Sequence, residues 1–369
     1  MDKTNKNPNV PNLRFEEFHN EYTILPLEQC LKIKSGKSQK NIECNNGKYK
    51  IYGTGGIIGF TNKYLYDKES VGIGRKGTID KPFYFNEPFW TVDTLFYSEI
   101  KENNVAKYIY YLFQTIPWKK YNTSTGVPSL TSSSIEAIEK GFPLKEEQYK
   151  IATFLSFIDK RIQTQSKIIE DLESVKNEIS NRIFKLKLIE KSTKYLSEYL
   201  REGDKTPVDT FEYKKITIKL NKQGIVYSDI NRDMADTRPF YIRHKDELII
   251  GKQNYFNGSI AIVDEQYDNC ICSNAIMSFN VVGINKEFLY FQLSNNNYLN
   301  SRSYKANGTG QKELSEKEFL NFKIWCPSIE EQIKIVNCFK AIDDKIKNEK
   351  AVLNSYMQEK DYLLTNMFI

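Results

Sequence analysis

Residues 143 to 162 read PLKEEQYKIATFLSFIDKRI, and residues 327 to 346 read PSIEEQIKIVNCFKAIDDKI. At a constant offset of 184, nine of the twenty positions are identical without a gap, among them Pro143/Pro327, Glu147/Glu331, Gln148/Gln332 and Asp159/Asp343. Upstream, Thr125, Gly126 and Leu130 stand opposite Thr309, Gly310 and Leu314. Downstream the identity fades and a helical pattern survives. Leu155, Ile158, Ile162, Gln165, Ile169 and Leu172 advance by 3, 4, 3, 4 and 3 residues, and Phe339, Ile342, Ile346, Glu349, Leu353 and Tyr356 stand at the same offset. That spacing is the apolar seam of a coiled coil, with one polar member at the same place in each copy. Ile179 and Ile183 prolong the first stripe, Leu363 and Met367 the second. Neither segment holds an internal Pro or Gly after its opening proline, so each is predicted to form one helix of about 40 residues, about 60 Å long. A lone helix of this kind leaves its stripe in water. The two repeats are therefore expected to pack on each other, the alternative being two amphipathic helices that each lie on their own domain.

The remaining lengths are of ordinary domain size. The expected division is a domain over 1–142, a long helix over 143–190, a second domain over 191–326 and a second long helix over 327–369. The two domains read as distant copies. VGIGRKGTIDKPFYF (71–85) and LIIGKQNYFNGSIAIV (248–263) are each an apolar strand reaching Gly and then a basic residue, Arg75 or Lys252. VAKYIYYLF (105–113) and KEFLYFQL (286–293) are aromatic helices, each leading towards a polar Thr-Gly loop. Short β-rich runs such as KYKIY and IMSFNVV mix with these helices and predict an α/β (α+β) domain in each half.

A composition of 40% hydrophobic and 27% charged residues is that of a globular protein with real cores. No apolar run approaches the roughly 18 residues of a membrane span, and the polar start lacks a signal-peptide core, so a cytoplasmic protein away from the membrane is expected. The six cysteines show no CxxC spacing and neither histidine, His19 or His244, stands near them, which argues for reduced, mostly buried thiols and against zinc. The net charge of +6 is mild, and its excess lies in 1–142 and 191–326, outside the repeated helices. Local basic patches could bind a polyanion.

Catalytic motifs are missing. There is no GxxxxGK[ST] phosphate loop, no [DN]PP[YF] motif of an adenine methyltransferase, and no convincing triad around the two histidines. YGTGGIIGF (52–60) lacks GxGxxG order and reads as a tight turn between strands. What recurs is a mixture of basic, aromatic and small polar residues. In the first domain it comprises Arg75, Lys76, Thr78, Lys81, Trp90, Lys119, Lys120 and Asn122. In the second it comprises Lys222, Tyr227, Arg232, Lys252, Asn254, Tyr255, Asn257, Arg302, Tyr304 and Lys305. Cationic side chains of this kind neutralise phosphates, and Asn, Arg and Thr can read base edges, so these residues are the candidate DNA contacts.

With the Thr-Gly loop, the Pro-x-x-Glu-Glu-Gln helix and the heptad stripe all present twice, the chain resembles the specificity subunit of type I restriction-modification systems over nearly its whole length. VPNLRFEEF (10–18) also resembles leader segments of that family, although it is not repeated before the second domain. The resemblance implies a subunit without catalysis or cofactor of its own. Each globular domain would be a target recognition domain reading one half of a bipartite double-stranded DNA sequence. The helices would pair antiparallel, related by a pseudo-twofold axis, setting the spacer and docking two methyltransferase subunits. S-adenosylmethionine would belong to those partners, and ATP and Mg to a restriction motor-nuclease subunit. The alternatives from other classes are a coiled-coil scaffold for protein partners and a self-contained DNA enzyme.

Overall fold

The computed structural model describes residues 9–187, 193–228, 238–303 and 313–369. The chain divides into two compact units, one of Met1–Ser166 with Ala351–Ile369 and one of Lys167–Lys350. These two units divide inside the long helices, whereas the division expected from sequence falls at the proline-led helix starts. Each unit contains part of both the central helix, Lys145–Lys187, and the C-terminal helix, Ile329–Met367.

In the first unit a four-stranded antiparallel sheet has the order Leu31–Ser35, Leu95–Ile100, Ser70–Gly74, Phe83–Phe85. The strand Ser70–Gly74 is buried throughout, and a β-carbon on Gly72 would stand 2.6 Å from the Phe85 ring. The helix Ala106–Thr115 contributes Tyr108, Ile109, Tyr111, Leu112 and Phe113 to the core beside this sheet. A three-stranded sheet places Tyr49–Gly53 between Gly56–Thr61 and Phe89–Thr91. As the glycine-rich run implied, Gly53 pairs with Gly56 across the two-residue turn Thr54-Gly55.

The second unit repeats the four-stranded sheet in the order Leu200–Glu202, Ile276–Val281, Leu248–Gly251, Ile260–Ile262. The helix Lys286–Leu293 takes the place of Ala106–Thr115, burying Phe288, Leu289 and Leu293. In both units a two-stranded pair closes the base: Thr23–Pro26 with Glu139–Phe142, and Thr193–Tyr195 with Lys323–Trp325. The sequence correspondence is therefore one of topology in this sheet, helix and base, while the remaining strands differ: the second unit has the separate pairs Ile216–Ile218 with Ile225–Tyr227 and Phe240–Arg243 with Cys270–Ser273.

The repeated Pro-x-x-Glu-Glu-Gln has a physical role. Gln148 donates to Pro143 O at 3.1 Å and accepts from Val105 N at 3.0 Å; Gln332 donates to Pro327 O at 2.9 Å and accepts from Asn285 N at 2.8 Å. Val105 and Asn285 are the N-caps of the two aromatic helices, whose first N–H groups have no partner within their own helix. One buried amide thus fixes where the long helix starts and ties it to the aromatic helix.

The stripe is covered in both units. Leu155, Ile158, Ile169, Phe339 and Ile346 are buried, and Ile162, Leu172, Ile342, Leu353 and Tyr356 are half-buried. Part of it serves the globular core as well: Leu155 and Ile158 share one cluster with Tyr108, Leu112 and the C-terminal Leu363, Leu364 and Met367. The two sequence alternatives, helix on helix and helix on domain, are therefore combined.

Within each unit the helix segments run antiparallel, and their ion pairs repeat at the offset of 184. Asp159 meets Lys360 at 2.7 Å in the first unit, and Lys176 meets Asp343 at 2.5 Å in the second. The two lysines also lie over equivalent rings, Lys360 over Tyr111 at 5.7 Å and Lys176 over Phe291 at 5.5 Å. Two aromatic residues at the same offset end the helices. Phe368 lies 5.2 Å from Tyr108 in the first unit, and Phe184 lies 5.8 Å from Phe288 in the second.

Candidate nucleic-acid interface

In the first domain the buried strand Ser70–Gly74 runs out into a turn at Arg75, Lys76 and Gly77. Arg75 N and Lys76 N both donate to Thr94 O, at 2.8 and 3.2 Å. The Thr-Gly loop is fastened to this turn: Leu130 N donates to Arg75 O at 2.9 Å and Gly77 N to Pro128 O at 2.9 Å. Gly77 has φ 89, in the left-handed region that favours glycine. The Thr54 hydroxyl lies 3.8 Å from where a β-carbon on Gly77 would stand, so the Gly53–Gly56 hairpin reaches the same place. Three chain segments converge here with Lys76 and Lys81 exposed, Arg75 and Thr78 half-buried, and Arg75 resting 5.8 Å from the Phe96 ring.

Other candidates of this domain have different duties. Asn122 Oδ1 accepts from Ser124 N at 3.1 Å and Ser129 N at 2.9 Å, while its Nδ2 donates to Ser124 O at 2.8 Å. Its amide braces the Thr-Gly loop, and its acceptor is already doubly used. Trp90 is half-buried in the three-stranded sheet and commits its one N–H to Lys37 O at 2.8 Å. Lys119 is exposed 3.2 Å from Asp80, and Lys120 is exposed.

The second domain repeats the latch. Leu248–Gly251 runs out into Lys252, and Leu314 N donates to Lys252 O at 2.9 Å, as Leu130 does to Arg75. Lys252 Nζ stands 3.7 Å from Glu316. Asn254 and Asn257 are exposed on the turn that follows and bond to each other at 3.2 Å. The tip of the hairpin formed by Ile216–Ile218 and Ile225–Tyr227 is fastened to that turn, Asn221 N donating to Asn257 O at 2.8 Å and Lys222 N to Gly258 O at 2.9 Å.

Tyr255 is a correction. It is fully buried, donates to Leu293 O at 2.9 Å and packs 5.4 Å from Phe319. Its ring belongs to the core because the turn folds back over the sheet, leaving only its neighbours outside. Arg302 is half-buried; its guanidinium lies 3.6 Å from the Tyr298 ring centroid and donates to Lys323 O at 3.1 Å. Lys222 donates to Asn296 at 2.7 Å, and burial lowers its pKa, with Lys176 adding to the shift. Tyr227 is exposed, with its hydroxyl on Gln266 O at 2.8 Å. Arg232, Tyr304 and Lys305 lie outside the described residues, as does the second Thr-Gly pair at Thr309 and Gly310.

Beside Lys252 opens a cleft of about 640 Å³, with Arg243, Asn274 and Ser315 in its walls. Arg243 is 2% exposed and held by Cys272 Sγ at 3.1 Å and Asp204 O at 3.0 Å. Burial pushes the Cys272 thiol up, with the guanidinium opposing. A single arginine on a short strand carries no sequence signal of such a place. Among the described residues no three metal-ligating side chains converge, and no helix is long and apolar enough to cross a membrane.

Two domains that share a four-stranded sheet and its two-stranded base, each with a basic turn held by a leucine N–H (Leu130 on Arg75, Leu314 on Lys252) and each combined with a paired long helix, define a duplicated recognition protein. The chain belongs to the family of type I restriction modification DNA specificity domains, whose model matches it twice, over residues 20–174 and 178–355. It is similar to the type I restriction enzyme MjaVIII specificity subunit of Methanocaldococcus jannaschii, 22% identical over 369 aligned residues that cover 90% of this chain and 81% of that one. It is also 35% identical over 88 residues to the MjaIX specificity subunit of the same organism, a stretch covering 23% of this chain and only 20% of that relative. The crystal structure of the type I restriction-modification system S subunit from M. genitalium superposes with a TM-score of 0.64 at 19% identity, covering 98% of this chain and 99% of that one. That last likeness is one of fold.

Proposed function

We propose that this chain reads double-stranded DNA for a type I restriction-modification complex, one domain for each half of a bipartite sequence. The observation that carries the reading is the repeated latch, Leu130 on Arg75 and Leu314 on Lys252, which holds a basic turn at the same place in two domains of different side chains. Lysine and arginine at such a turn would hold phosphates, and neighbouring polar groups would meet base edges. Two unlike readers need no palindrome.

In this reading the long helices set the number of unread base pairs and dock two methyltransferase subunits. Those partners would bring S-adenosylmethionine and methylate adenine. A motor-nuclease subunit would bring ATP and Mg and complete the restriction activity. The complex would work on chromosomal and incoming DNA in the cytoplasm.

The test is methyl transfer from S-adenosylmethionine to plasmid DNA by the chain alone, by the methyltransferase alone and by both together. The expected result is methylation of one split sequence only when both are present. Methylation by this chain alone, or sequence-indifferent methylation by the pair, would overturn the proposal.

A further inference from the structure

The hairpin that reaches the Arg75 turn carries an unusual surface. Between Gly56 and Thr61 the strand bulges: Tyr52 pairs with Ile57 and Ile51 with Gly59, leaving Ile58 unpaired. A regular strand would send successive side chains to opposite faces, and a bulge re-aims them. Here Ile57 and Ile58 are exposed to 52% and 49%, and Phe60 to 41%. Added β-carbons on Gly55 and Gly56 would meet nothing within 4 Å, so the tip stands in open space. From Cys44 to Tyr66 the sequence has three lysines, Lys48, Lys50 and Lys63, and no carboxylate. The Glu43 carboxylate flanks the strand at Gly59, and Lys50 is paired with Glu87 at 2.6 Å. It is the tip itself, exposed, apolar and continuous with the Arg75–Lys76 turn, that suits a polyanion that also offers apolar groups.

Resting on the DNA-reading function, we propose that this hairpin enters the major groove of the first domain's half-site and sets Ile57 against the methyl group of a thymine. A two-stranded ribbon fits the major groove, and the thymine C5 methyl is the apolar feature presented there. Ile57 would then be a specificity-determining residue.

The experiment uses the assembled complex of this chain with its methyltransferase, on a duplex bearing its methylated sequence. The half-site read by the first domain is identified as the one that R75A/K76A relaxes. Each thymine of that half-site is replaced in turn by deoxyuridine, which removes only the methyl. The expected result is about fourfold weaker binding at one position, the effect of losing one buried methyl-sized contact. I57A should abolish that sensitivity while leaving the other half-site unchanged, and I57S serves as a second variant should I57A fold poorly.

A half-site without thymine, or equal binding of every uracil duplex, would overturn the proposal. So would a methyl effect that persists in both variants. An isoleucine variant that loses the methyltransferase and keeps full methyl sensitivity would assign the tip to protein docking instead. Failure of the wild-type complex to select any sequence would overturn the DNA-reading function itself, a distinct outcome.

Discussion

Replacing Arg14 with alanine is expected to destabilise the first unit by about 3–5 kcal/mol, the usual cost of leaving one partner of a buried ion pair alone. Arg14 donates from Nε to Glu147 Oε1 at 2.8 Å and from Nη2 to Oε2 at 2.7 Å, and the Glu147 side chain is 1% exposed. Tyr22 donates to the same carboxylate at 3.2 Å, and its phenol is pushed up by burial and by that charge. Without the guanidinium, Glu147 keeps one neutral donor among its long-range partners. Lysine should recover only part of the loss, because an ammonium cannot present the two-pronged fork. Glu331 holds the equivalent position in the second unit but is exposed, so E331A should change stability by no more than about 0.5 kcal/mol. Urea unfolding of the intact chain, read by amide exchange in the first turns of the central helix, checks both. Equal, small effects of R14A and E331A would show that the leader is a passive strap.

The second large effect concerns the helix ends. Phe368 is 8% exposed and Phe184 is fully buried, and each completes an aromatic core whose other members lie far away in sequence. Phe to Ala at such a site removes the transfer energy of the ring and leaves a cavity, together about 3–5 kcal/mol. F368A should therefore lower amide protection over Ala106–Thr115, and F184A should lower it over Lys286–Leu293. Protection lost from neither aromatic helix would contradict the packing described above.

Those two residues also show what could be read in advance. The stripe was legible because a helix imposes its period on sequence, and the duplication confirmed the period independently. Gln148 and Gln332 were visible as an identity, but their hydrogen bonds to Val105 and Asn285 were not, since no local pattern says which helix start lies nearby. The insertion of Phe368 into the first core is a non-local contact and leaves no periodic trace. Strand order was hidden for the same reason, in runs as short as Phe83–Phe85.

For the candidate residues, what the sequence showed was segments of like composition. The Arg75 and Lys252 turns occupy equivalent places, held by Leu130 N and Leu314 N. Within those segments composition could not separate surface from core. Tyr255 looked like its exposed neighbours Asn254 and Asn257, yet its ring turns inward, and Arg302 spends its donors on the carbonyls around Tyr298. The leader was legible as asymmetric, and the Arg14 fork gives the physical reason: Glu147 is buried and needs a cation, while Glu331 sits in water.

The most direct measurement is methylome sequencing of cells carrying this chain with the methyltransferase subunit proposed to dock on it, comparing the wild type with R75A/K76A and with K252A/N254A. A lost base contact costs about 1–3 kcal/mol of discrimination. The account predicts that the first variant relaxes one half of a split motif and the second relaxes the other half, each leaving the remaining half as it was. Relaxation of both halves by either variant, or an unchanged motif in both, would contradict two independent readers.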